Sequence, residues 1–65
     1  MTLIINNTPH ETTANNLAQL AEQQHLPASG VAIAVDNTMV PRNNWATFVL
    51  QDNQKITILR AFSGG

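Results

Sequence analysis

The residues best suited to chemistry in this 65-residue sequence are its last three, Ser63-Gly64-Gly65. A chain that finishes there presents a free carboxylate, and three extended residues carry it about 10 Å beyond the preceding element. Glycines without Cβ atoms thread a channel too narrow for any other residue pair, which suits delivery into an enzyme. A carboxylate is inert until activated, and adenylation would make it an acylating agent. A Gly-Gly end also fits a frayed terminus, so the dipeptide by itself leaves both readings open.

The remaining inventory argues against catalysis. The sequence has no cysteine and no tyrosine, and it contains no nucleophile elbow, phosphate-binding loop or dinucleotide-binding turn. His10 and His25 lack the spacing and partners of a zinc site, so both are expected at the surface with no metal bound. Glu11, Glu22, Asp36 and Asp52 are scattered rather than paired, as solubilising charges are. With 43% hydrophobic residues, 11% charged and a net charge of −1, the chain should fold, and it offers no basic stripe for nucleic acid. The amino terminus shows no cationic leader, and Val31 to Val35 is far too short to cross a bilayer, so a cytoplasmic protein without a membrane partner is expected.

The elements that must position the tail follow from patterning. Leu3 to Ile5 reads as a strand turning at Asn6-Asn7, and Pro9 to Thr13 as a short edge strand. Asn15 or Thr13 would cap a helix of about three turns over Asn16 to Gln24, with Leu17, Leu20 and Ala21 on its apolar face and Pro27 and Gly30 ending the pattern. Val31 to Val35 is β-branched at odd positions, a strand whose larger side chains should meet the helix. Asp36-Asn37-Thr38 turns it into Met39-Val40, stopped by Pro41. One helical turn within Arg42 to Phe48, capped near Asn43-Asn44, would lay Trp45 over the core. After a polar turn at Gln51 to Gln54, Lys55 to Phe62 is the closing strand.

This order describes an α+β domain over residues 1–62, one helix across one face of a small mixed sheet, with 63–65 as a flexible tail. The expected core is Met1, Leu3, Ile5, Leu17, Leu20, Ala21, Leu26, Val31, Ile33, Val35, Val40, Trp45, Ile56 and Ile58. Ile4, Ala32, Ala34, Leu59, Ala61 and Phe62 fall on the sheet face the helix cannot cover, a candidate docking surface. A register slip of one residue in any strand would exchange the two sets.

The strand order with Gly64-Gly65 resembles the ubiquitin-like β-grasp sulfur carriers. Val40-Pro41-Arg42-Asn43-Asn44-Trp45 is similar to the V-P-R-x-x-W segment of the thiamin-biosynthesis sulfur carrier (ThiS) family. The resemblance covers essentially the whole chain, and Leu17 and Leu20 stand where that family has its leucine-rich helix. Phe62 and Ser63 depart from the small aliphatic residues expected before the glycines. It implies that an ATP-dependent activating enzyme adenylates Gly65, with Gly64 threading its channel, and that sulfur from a cysteine-desulfurase relay makes a thiocarboxylate. Thiazole synthase would then take the sulfur. ATP belongs to the activating enzyme, and no cofactor is bound by the carrier. Ile4, Leu59, Ala61, Phe62 and Ser63 would contact these partners. A molybdopterin-type carrier and a protein modifier acting through the same glycine remain alternatives. Without cysteine the chain cannot hold sulfur as a persulfide, so a carrier role must use the terminus.

Overall fold

The computed structural model describes residues 1–27 and 29–60. Thr2–Ile5 (β1) turns back through Asn6 and Asn7 into Thr8–Glu11 (β2). The two asparagines have φ of 48° and 68°, the left-handed pair that a tight hairpin requires and that Asn tolerates better than other side-chain-bearing residues. The same device recurs at Asp36 and Asn37, φ 49° and 69°, between Val31–Val35 (β3) and Thr38–Val40 (β4). Lys55–Arg60 (β5) lies in the middle of a five-stranded sheet of order β2-β1-β5-β3-β4. It runs parallel to β1 and antiparallel to β3, so the sheet is mixed, and one helix serves it, as the β-grasp reading expects. The edge position expected of the proline-bearing second strand is observed.

The helix, Leu17–Gln23 (α1), is seven residues and shorter than the three turns expected. Its cap is Asn16 rather than Asn15 or Thr13: the Asn16 side-chain oxygen accepts from the Gln19 N–H at 2.8 Å. It ends before Pro27, because His25 takes a left-handed φ of 56°. The His25 N–H then donates to the Glu22 carbonyl at 3.1 Å and the Leu26 N–H to the Ala21 carbonyl at 3.0 Å, closing a Schellman motif.

Leu3, Leu17, Leu20, Ile33 and Ile56 are the largest fully buried side chains, placing the core between α1 and one sheet face. The register expected for β3 and β5 holds: Ile33 pairs with Ile58 and Val35 with Ile56, all on the helix side. Leu26, Val31 and Ile58 pack against the core while staying half-buried. Met1 does not join it and is exposed, since it precedes β1 and the ladder to β5 begins only at Ile4. Leu50 and Ala14 take core places that patterning does not assign. The Leu50 N–H donates to the Asn15 carbonyl at 2.9 Å, and Val49 bridges Asn16, so a segment without regular structure is tied to the start of α1.

Arg42–Asn44 forms the one helical turn expected, a 3₁₀ turn entered from Pro41 without a side-chain cap, so Asn43 and Asn44 do not cap it. Trp45 is buried as expected, and its indole N–H donates to the Val40 carbonyl at 2.9 Å.

Candidate functional site

Of the residues expected to act, Gly64 and Gly65 at the reacting end and Ala61, Phe62 and Ser63 before them lie outside the described residues. Ile4 and Leu59 are described, and so is the strand that leads to the tail. Residues 55, 57 and 59 of β5 alternate away from the helix, and Ile4 opposite Lys55 shares that face. Across the same face Thr57 pairs with Ala34 and Ala34 with Met39, while Leu59 pairs with Ala32.

The resulting surface is divided. Leu59 (54% exposed) and Met39 (57% exposed) join Ala32 and Ala34 into one apolar area over β5, β3 and β4. Ala34 is itself buried, because its methyl is recessed between the longer Met39 and Thr57 side chains of its partners. Ile4 stands apart between Pro9 and Lys55, about 13 Å down β5 from Leu59 at 3.3 Å per residue. The structure therefore places both expected contacts on the uncovered face without bringing them together. Met39 belongs to this face and was legible in principle: Val40 faces the core, so strand alternation puts its predecessor on the other side.

At the edge of this area the chain leaves β4 and forms a groove of about 280 Å³ whose lining runs from Val31 and Ala32 of β3 through residues 39–42 to Trp45. The Arg42 guanidinium sits 4.3 Å from the Trp45 ring centroid and donates to the Pro27 carbonyl at 3.3 Å. Arg42 is thus a packing residue of the turn. Arg60, paired with Val31, marks the same end of the sheet, which is the end where β5 leads into residues 61–65. The opposite end carries Asp36 beyond β3, Asp52 accepting from the Thr2 N–H at 2.7 Å, and Glu11 accepting from the Thr2 hydroxyl. Among the described residues, no group of histidines and acids is arranged to hold a metal ion, and no helix is long and apolar enough to cross a membrane.

A model of the ThiS family matches residues 3–65. The chain is 34% identical over 47 residues to the sulfur carrier protein ThiS of Escherichia coli (strain K12), covering 72% of this chain and 71% of that one. Among solved structures it is similar to the crystal structure of a thiamine biosynthesis protein (ThiS) from Geobacter metallireducens, with a TM-score of 0.83 over 100% of both chains. The sequence identity there is 17%, so that likeness speaks for the fold alone.

Proposed function

The chain belongs to the ThiS family, and we propose that it is a sulfur carrier for thiamin biosynthesis whose working group is the Gly65 carboxylate. The observation that carries this reading is the extent of the family match, which runs through Gly64 and Gly65. The absence of any cysteine supports it, since no side chain of the protein could take up sulfur as a persulfide.

In the proposed cycle a carboxylate oxygen of Gly65 attacks the α-phosphorus of ATP in the activating enzyme and pyrophosphate leaves. The terminal sulfur of a persulfide, from a relay fed by cysteine desulfurase, then attacks the acyl carbon, and the carbon–oxygen bond to AMP breaks. A thiol reductant cleaves the sulfur–sulfur bond of the resulting acyl disulfide, is itself oxidised to a disulfide, and Gly65 is left as a thiocarboxylate. Its sulfur is the better nucleophile, and thiazole synthase incorporates it into the thiazole ring, returning the carrier as a carboxylate. The domain supplies no catalytic group to these steps. It supplies a surface for Leu59 and its neighbours to dock and a strand from which the tail departs.

Intact-mass measurement after incubation with ATP, an activating enzyme and a sulfur source tests the proposal. A gain equal to sulfur minus oxygen is expected, located on the last residue by fragmentation. A mature chain that continues past Gly65, or larger adducts on lysines of other proteins, would replace this reading with another.

A further inference from the structure

The strand that leads to residues 61–65 is held unequally along its two sides. On one side β5 pairs with β3 as far as Arg60. On the other, the parallel ladder to β1 stops at Ile5 and Ile56, because the chain turns away at Asn6 and Asn7. Bonds of a parallel ladder recur at every second residue. After the Asn6 N–H to Ile56 carbonyl bond of 2.9 Å, the next pair would involve the N–H and carbonyl of Ile58, for which β1 has no backbone left. The Asn6 side chain supplies both partners. Its Oδ1 accepts from the Ile58 N–H at 2.9 Å and its Nδ2 donates to the Ile58 carbonyl at 3.4 Å. The side-chain amide stands in for a peptide group and extends the ladder to within two residues of Arg60.

We propose that Asn6 is a positioning residue for activation of the carrier, fixing the direction in which β5 delivers the tail. This rests on the terminal-carboxylate function proposed above. The clasp is exposed and lies outside the core cluster, and β5 keeps five pairs with β3 without it. Its loss leaves the fold standing and frees one side of the strand just before the tail. A strand end that samples more directions must be ordered when the activating enzyme binds it, so the cost falls on association and leaves the chemical step untouched.

Asn6→Gly keeps the left-handed φ of 48° and removes the amide, whereas Asn6→Asp tolerates the same backbone and keeps the 2.9 Å acceptor. Amide exchange at Ile58 and steady-state pyrophosphate release by the activating enzyme are measured on folded wild type and both variants. In N6G the Ile58 amide exchanges faster and KM for the carrier rises about five- to tenfold, with kcat within about twofold of wild type. N6D restores KM to within about twofold of wild type, because the better of the two bonds survives. An unchanged KM in N6G alongside faster Ile58 exchange overturns the positioning role and leaves the function standing. A fall in activity that only tracks a lost folded fraction overturns it as well. An unreactive wild type refutes the function itself and the clasp's role with it.

Discussion

Leu59 and Ile56 are three positions apart on β5 and have opposite duties. Ile56 is fully buried against α1 and β1, whereas more than half of Leu59 reaches solvent on the other face. Ile56→Ala removes buried methyl and methylene groups and leaves a cavity, which costs about 2–5 kcal/mol and should be visible as a large drop in melting temperature. Leu59→Glu exposes a charge where water already has access, so the melting temperature should stay close to wild type. Binding to the activating enzyme, followed by titration calorimetry, should weaken about tenfold or more if Leu59 anchors an apolar contact. A Leu59→Glu protein that binds unchanged removes this face from the docking surface. Trp45 illustrates a third duty: its indole both fills the core and satisfies the Val40 carbonyl, which explains a tryptophan where the V-P-R-x-x-W segment requires no chemistry.

At the level of elements, the short helix depends on its two ends, since seven residues are too few to be stable in isolation. Asn16→Ala forfeits the bond from the Gln19 N–H and should destabilise the domain by about 1 kcal/mol in urea denaturation. His25→Gly should do the reverse by a few tenths to about 1 kcal/mol, because glycine adopts the left-handed C-terminal conformation without the steric cost a Cβ brings. A destabilised His25→Gly protein would mean that the histidine ring contributes packing that outweighs this strain. The strands were legible because larger and smaller side chains alternate over Val31–Val35, polar and apolar ones over residues 55–58, and because Asn6-Asn7 and Asp36-Asn37 favour a tight turn. The helix ends were less so. Thr13, Asn15 and Asn16 lie close together and offer the same capping chemistry, and a histidine gives no sign that it will adopt a left-handed φ. Leu50 was hidden for another reason: between exposed Val49 and Gln51 it has no periodic neighbour, and only the distant bond to Asn15 draws it inward. The candidate site was legible as a face, through Ile4 and Leu59, but the partition of that face by Lys55 and Thr57 depends on strand order, which local pattern does not contain.

Over the whole molecule, charge is separated along the strand direction. Arg42 and Arg60 flank Val31 at the end where β5 leads to the tail, and Asp36, Asp52 and Glu11 lie at the other end, with Lys55 and the Met1 ammonium, 3.8 Å from Glu11, among them. Glu22, which shares a groove with Arg42 near the end of α1, moderates the cationic end without reversing it. The proposed reaction brings an anionic carboxylate to the anionic phosphates of ATP, an approach that like charges oppose. Two guanidinium groups at the base of the tail offset part of that repulsion and favour encounters in which the tail end leads. Both are exposed, so their influence should be felt in association and fade as salt shortens the Debye length to about 8 Å at physiological ionic strength. Arg60→Glu should therefore lower kcat/KM for activation about two- to fivefold at low salt and flatten its dependence on salt, with kcat and melting temperature little changed. Stopped-flow association at several salt concentrations distinguishes this from loss of a specific contact. A steering charge alters the slope against ionic strength, whereas a buried contact would slow dissociation of the wild-type complex at every salt concentration alike. A salt-independent loss in Arg60→Glu would assign Arg60 to the interface itself.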